Sequence, residues 1–158
     1  SSTVQPIVNP PQVDASRLLA HLEALSFERH NPADRDRARR YLIQTLETLG
    51  WSPILQSFEG GMNVVAERSG TEPQAGTLLL GAHYDTVEGS PGADDNASAV
   101  AAILEIARLL RSRPTPRALK LVFFDLEEQG LRGSLNYVAT DEHIKDLRGV
   151  VILEMLGY

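Results

Sequence analysis

Three short stretches of this sequence concentrate side chains that can bind cations or move protons: GAHYDTV at 81–87, PGADDNASAV at 91–100 and FFDLEEQGLRGS at 123–134. A fourth stretch, VVILEML at 150–156, carries Glu154. Six of their carboxylates, Asp85, Asp94, Asp95, Glu127, Glu128 and Glu154, are set at strand ends or loops with one imidazole, His83, and no obvious Lys or Arg among them. Carboxylates crowded together either take up protons or bind cations, and a histidine among them suits Zn²⁺, Mn²⁺ or Co²⁺ better than Ca²⁺. Taken singly, each motif has a plainer reading, because Asp, Asn and Glu are common at helix N-termini. It is the four together that point to a site for divalent cations. No G-x-S-x-G or H-E-x-x-H occurs, which argues against a serine hydrolase and against the zincin metalloproteases. With no cysteine in the chain, thiolate zinc sites, disulfides and a Cys nucleophile are excluded.

These groups can act together only if the fold brings them to one place. From Thr77 the apolar runs TLLLGAH (77–83), ALKLVFF (118–124) and VVILEML (150–156) alternate with helical patterns near 97–111 and 131–140, which predicts a βαβαβ unit with buried parallel strands. The carboxyl ends of parallel strands share one edge, where open α/β sheets bind their ligands. Ahead of this unit, Asp14 is placed to cap a helix carrying Leu18, Leu19, Leu22 and Leu25, and Asn31-Pro32 opens a second helix running to Gly50. Residues 51–58 and 62–68, with Gly60-Gly61 between them, read as a hairpin. Residues 1–12, with three prolines, read as an extended arm, and residues 13–158 as one catalytic domain.

In order and in wording, the three motifs resemble the successive metal-site motifs of the M28 aminopeptidase family, a likeness that runs over roughly 52–158. The resemblance implies a three-layer α/β/α fold with a mixed, mostly parallel sheet whose first five strands follow the order 1-2-4-3-5. It implies a peptide substrate whose N-terminal bond is hydrolysed by a water activated by two zinc ions. His83, Asp94, Glu128 and Glu154 are then the expected metal ligands, Glu127 the general base, and Asp85 the partner that orients His83. A non-prolyl cis peptide is expected between Asp94 and Asp95. The family's further histidine ligand lies beyond Tyr158, so the resemblance implies a C-terminally incomplete domain; His21, His30 and His143 read as surface residues and not as substitutes. Two other readings remain: a glutaminyl cyclase, which shares the fold but uses one zinc and a less acidic second motif, and an inactive homologue that keeps a partial metal site.

A formal charge of −6 argues against nucleic acid and anionic membrane surfaces as partners, and no apolar run is long enough to span a bilayer. The start at Ser1 fits a processed N-terminus and favours a secreted or periplasmic location over a cytoplasmic one. The last strand, 150–156, is expected to expose an apolar edge and to drive self-association.

Overall fold

The structure, a computed structural model, describes residues 9–157. Most of the expected arm therefore lies outside the described residues. What is described of it, Asn9–Gln12, has no regular structure and is tied down where Gln12 O accepts from Arg108 Nη2 at 3.1 Å.

Two capped helices come first. In α1 (Ala15–Ala24) the Asp14 carboxylate accepts the Ser16 N–H at 2.9 Å, and in α2 (Pro32–Thr48) Asn31 does the same for Asp34 at 2.8 Å, with proline at the first turn. Leu22 and Leu25 pack inward, whereas Leu19 is 59% exposed, so the expected stripe is narrower by one leucine. The hairpin β1 (Ile54–Phe58) and β2 (Gly61–Arg68) follows, closed at Phe58↔Gly61. Then come β3 (Thr77–His83), α3 (Ala99–Leu110), β4 (Ala118–Phe124), α4 (Arg132–Val138), the short α5 (Asp141–Ile144) and β5 (Leu147–Ile152).

The five strands form one sheet in the order β1-β2-β4-β3-β5, as expected. β3 runs parallel to β4 and β5, and β2 runs antiparallel to β1 and β4. Strand alternation divides the core into two faces. Leu80 and Ala82 of β3 and Leu119, Leu121 and Phe123 of β4 meet Ala38, Leu42 and Leu46 of α2 and Val100, Ile103 and Leu104 of α3. On the other face Leu79, Val122 and Phe124 meet Val65 and Tyr137 of α4. This is the three-layer arrangement, with the thicker helical layer on the α2–α3 side.

β5 departs from its expected limits of 150–156. It begins at Leu147, where Thr77 pairs with it across a bulge, and stops at Ile152. Leu153 N–H still reaches Gly81 O at 2.9 Å, but beyond it the Asn96 side chain takes over: Asn96 Nδ2 donates to Leu153 O at 3.1 Å, and Asn96 Oδ1 accepts from Met155 N–H at 3.0 Å. Glu154 therefore lies just past a strand end and not inside a strand.

Candidate metal centre

β3 delivers His83 to the carboxyl edge of the sheet, where the ring is 6% exposed. Its Nε2 lies 3.0 Å from Asp95 Oδ1 and 3.0 Å from Glu154 Oε1, with Glu128 Oε1 at 4.0 Å. Donor atoms of His83, Asp95 and Glu154 all lie within 4.8 Å of one another. On the other side of the ring, Nδ1 faces Asp85, with the backbone O at 3.1 Å and Oδ1 at 3.3 Å. Donation from Nδ1 fixes the ring so that Nε2 is directed at Asp95 and Glu154, and a cation set among them would take its lone pair.

Asp85 does more than orient the ring. Its carboxylate, buried two residues past His83, accepts the backbone N–H of Glu127 through Oδ1 and of Glu128 through Oδ2, each at 3.1 Å. One side chain thus ties the end of β3 to the turn after β4. Within that turn Glu127 points away from the ring, its Oε2 accepting the Ser134 N–H at 3.2 Å. The two adjacent glutamates diverge, as separate roles for them would need.

The electrostatics are those of an anionic site short of a cation. Burial lowers the His83 imidazole, but the carboxylates of Asp85 and Glu154 outweigh it and raise the group to about 9. Burial pushes the Glu128 carboxyl up, and the charge of Asp95 adds to the effect. Burial likewise pushes Glu127 up, against the hydrogen bond from Ser134. Apart from its contact with His83 Nε2, Asp95 Oδ1 is buried with no hydrogen-bond partner. An orphaned carboxylate oxygen beside an imidazole and a second carboxylate fits a divalent cation, which would supply the missing partner.

The second motif holds a surprise of one residue. Asp95, and not Asp94, is the carboxylate set beside His83. Asp95 (φ −104°, ψ 90°) and Asn96 (φ −133°, ψ 30°) leave the helical conformation, and the cis peptide falls between these two and not between Asp94 and Asp95. Asp94 turns to the opposite side, where Oδ1 accepts the Gly157 N–H at 2.8 Å and its backbone O accepts from Ser98 Oγ at 2.7 Å. Asp94 braces the segment after Glu154, and the carboxylate between the imidazole and Glu128 is its neighbour. The three remaining histidines are not in the cluster: His21 bonds Tyr41 at 2.6 Å, His30 O accepts from Arg35 Nε at 3.2 Å, and His143 stacks on Tyr137 at 4.2 Å between centroids.

A match to the model of peptidase family M28 spans residues 63–158. The chain belongs to this family. Aminopeptidase YwaD of Bacillus subtilis is 41% identical over 82 residues, covering 51% of this chain and 18% of the relative. Leupeptin-inactivating enzyme 1 of Streptomyces exfoliatus is 32% identical over 152 residues, 87% of this chain and 34% of the relative. The crystal structure of LapA from Legionella pneumophila superposes with a TM-score of 0.81 at 23% identity, over 90% of this chain and 44% of that one. The chain thus spans about a third or less of the length of these two curated relatives. Its M28 membership makes it part of a zinc metallopeptidase family, and the described residues hold a donor set of the right chemistry.

Two groups that the sequence motifs did not reveal shape this M28 site. Asn96, buried in the second motif, uses both ends of its amide to hold the backbone on either side of Glu154. A cation also approaches the acidic cluster from outside the motifs. Arg29, in the α1–α2 connection, is 1% exposed and lies within the electrostatic reach of Asp85 and Asp95. Asn96 stands inside the second motif but nothing there marks its partners, and Arg29 has no local signature.

Proposed function

We propose that the chain carries the metal-holding part of an aminopeptidase active site, which hydrolyses the N-terminal bond of peptides. The observation that carries this reading is His83 Nε2 at 3.0 Å from both Asp95 and Glu154, with Asp95 Oδ1 otherwise unpartnered. His83, Asp95 and Glu154 would hold one zinc ion, and Asp95 with Glu128 would hold a second. Bound there, zinc supplies Lewis-acid polarisation of a carbonyl and a lowered pKa for the attacking water.

The chain's own residues do the rest. Glu127, its carboxyl pushed up by burial and one oxygen anchored on the Ser134 N–H, takes the proton of the water and passes it to the departing amine. Asp85 holds the imidazole and both glutamates in one frame. A cavity of about 310 Å³, bounded by Phe124, Leu131, Ser134 and Ile152 with His83 and the glutamates at its floor, offers room for a substrate side chain. Asp95 and Glu128, two acidic groups beside His83, support a two-ion peptidase over a single-zinc cyclase, whose second motif is less acidic.

The test is hydrolysis of aminoacyl-p-nitroanilides after dialysis against a chelator and after zinc is restored, with metal counted per chain. Zinc-dependent release of nitroaniline is expected. A zinc-loaded protein that leaves these substrates intact but cyclises N-terminal glutamine would replace this reading with the cyclase one.

A further inference from the structure

We propose that Arg29 is a positioning residue for the metal centre, its buried guanidinium closing the neck of the loop 84–92 and thereby setting Asp95 against His83. The inference rests on the metal-centre reading above and extends it to a residue outside the motifs. Arg29 Nε donates to Tyr84 O at 2.6 Å, in the residue that follows His83. Nη2 donates to Gly92 O at 3.0 Å and Nη1 to Pro91 O at 2.9 Å, at the other end of the loop and three to four residues before Asp95. Nη1 also donates to Phe27 O at 3.0 Å and to Leu25 O, which anchors the guanidinium on the α1–α2 connection. Backbone bonds complete the seam: Arg29 N–H to Thr86 Oγ1 at 2.9 Å and Thr86 N–H to Arg29 O at 3.0 Å.

Only a planar fork with several donors can serve carbonyls at both ends of a nine-residue loop, and lysine offers a single point charge in its place. The loop is built to admit it. Gly92 has φ +58°, and a Cβ there would stand 2.7 Å from Arg29 Nη2 and 2.6 Å from Asp95 O. From Gly92 the backbone leads directly into the ligand turn, with Ala97 N–H bonded to Gly92 O at 3.0 Å. Burial lowers the guanidinium to about 10 and the charges of Asp85 and Asp95 oppose the shift, so the group stays cationic at neutral pH beneath the carboxylates that it positions.

A purely structural arginine would leave zinc affinity untouched once stability is matched, and that separates the two roles. Wild type, Arg29→Met, Arg29→Lys and the core variant Leu46→Ala are prepared zinc-free, and amide hydrogen exchange at residues 93–97 is read beside zinc titration against a competing chelator. Arg29→Met is expected to speed exchange at Ala97 and to weaken zinc binding about 10- to 100-fold, the range for groups that support metal ligands. Arg29→Lys should fall between, and Leu46→Ala should change neither beyond its effect on global opening. If Arg29→Met does not fold, Arg29→Lys carries the test alone, since it keeps the charge but not the planar fork and must still weaken zinc. Wild-type zinc affinity in the arginine variant, or exchange no faster than in Leu46→Ala, overturns the proposal. A wild-type chain that takes up no zinc overturns the metal-centre reading instead, and the exchange measurement then decides the clamp alone.

Discussion

Asp85 Oδ1 accepts the Glu127 backbone N–H at 3.1 Å, across 42 residues of sequence. The same carboxylate faces His83 Nδ1, so the ring and the Glu127–Glu128 turn cannot shift independently. In Asp85→Asn one acceptor becomes a donor and meets an N–H it cannot bond. Zinc affinity is expected to fall about 10- to 100-fold, the range for removing a partner that supports a ligand. Calorimetric titration of the metal-free variant measures it, and unchanged affinity would remove Asp85 from this role.

The neighbouring aspartates of the second motif should behave oppositely. Asp95→Asn is expected to lose metal on dialysis. Asp94→Asn, which alters the contacts to Gly157 and Ser98 and none to His83, should keep it. Elemental analysis of both variants decides, and metal loss confined to Asp94→Asn would restore the assignment made from the motif alone.

Glu127 touches no other member of the donor cluster, so Glu127→Gln should retain its metal while turnover falls roughly 10²- to 10⁴-fold, the usual worth of a general base. A near-normal kcat in the variant would rule it out as the base.

Beneath the site, Asp125 is fully buried and accepts from Arg35 Nη1 at 2.8 Å, Arg39 Nη1 at 3.1 Å and Met62 N–H at 3.0 Å. Asp125→Ala strands two guanidinium groups and should cost about 3–5 kcal/mol. Arg35→Met leaves the Arg39 pair in place and should cost less. Denaturant melts of the two variants give the order, and a milder loss in Asp125→Ala would contradict it.

β5 closes the sheet on one side, and Val150, Val151 and Ile152 are 54%, 42% and 54% exposed. A long apolar edge recruits strands. Light scattering of the isolated chain at micromolar concentration should show association that Val151→Lys reduces. A monodisperse monomer would refute it.

Much of this fold was legible because the sequence states it locally. Thr77–His83 and Ala118–Phe124 are uninterrupted apolar runs, and their limits were read to the residue. Asp14 and Asn31 announce their helices through capping chemistry. β5 was harder, since its first residues, Leu147 and Arg148, are read as strand only through pairing with Thr77, and its end is fixed by the distant Asn96. The choice between Asp94 and Asp95 turns on backbone angles that a run of two identical residues does not encode. Arg29 was invisible for a related reason: its partners are main-chain carbonyls, which carry no sequence signature.

The His83–Glu154 contact joins groups 71 residues apart, whereas the β1–β2 hairpin closes through two residues, Glu59 and Gly60. Loop-closure entropy and contact order set the order of such events, so the hairpin can form early while the metal site waits for β5 to dock. Until then His83, Asp95 and Glu127 are acidic or basic surface on an unfinished sheet, without shared purpose. Metal uptake during refolding would thereby serve as a clock for the docking of β5, and a chain that misplaces β5 would leave the His83–Asp95 pair without Glu154.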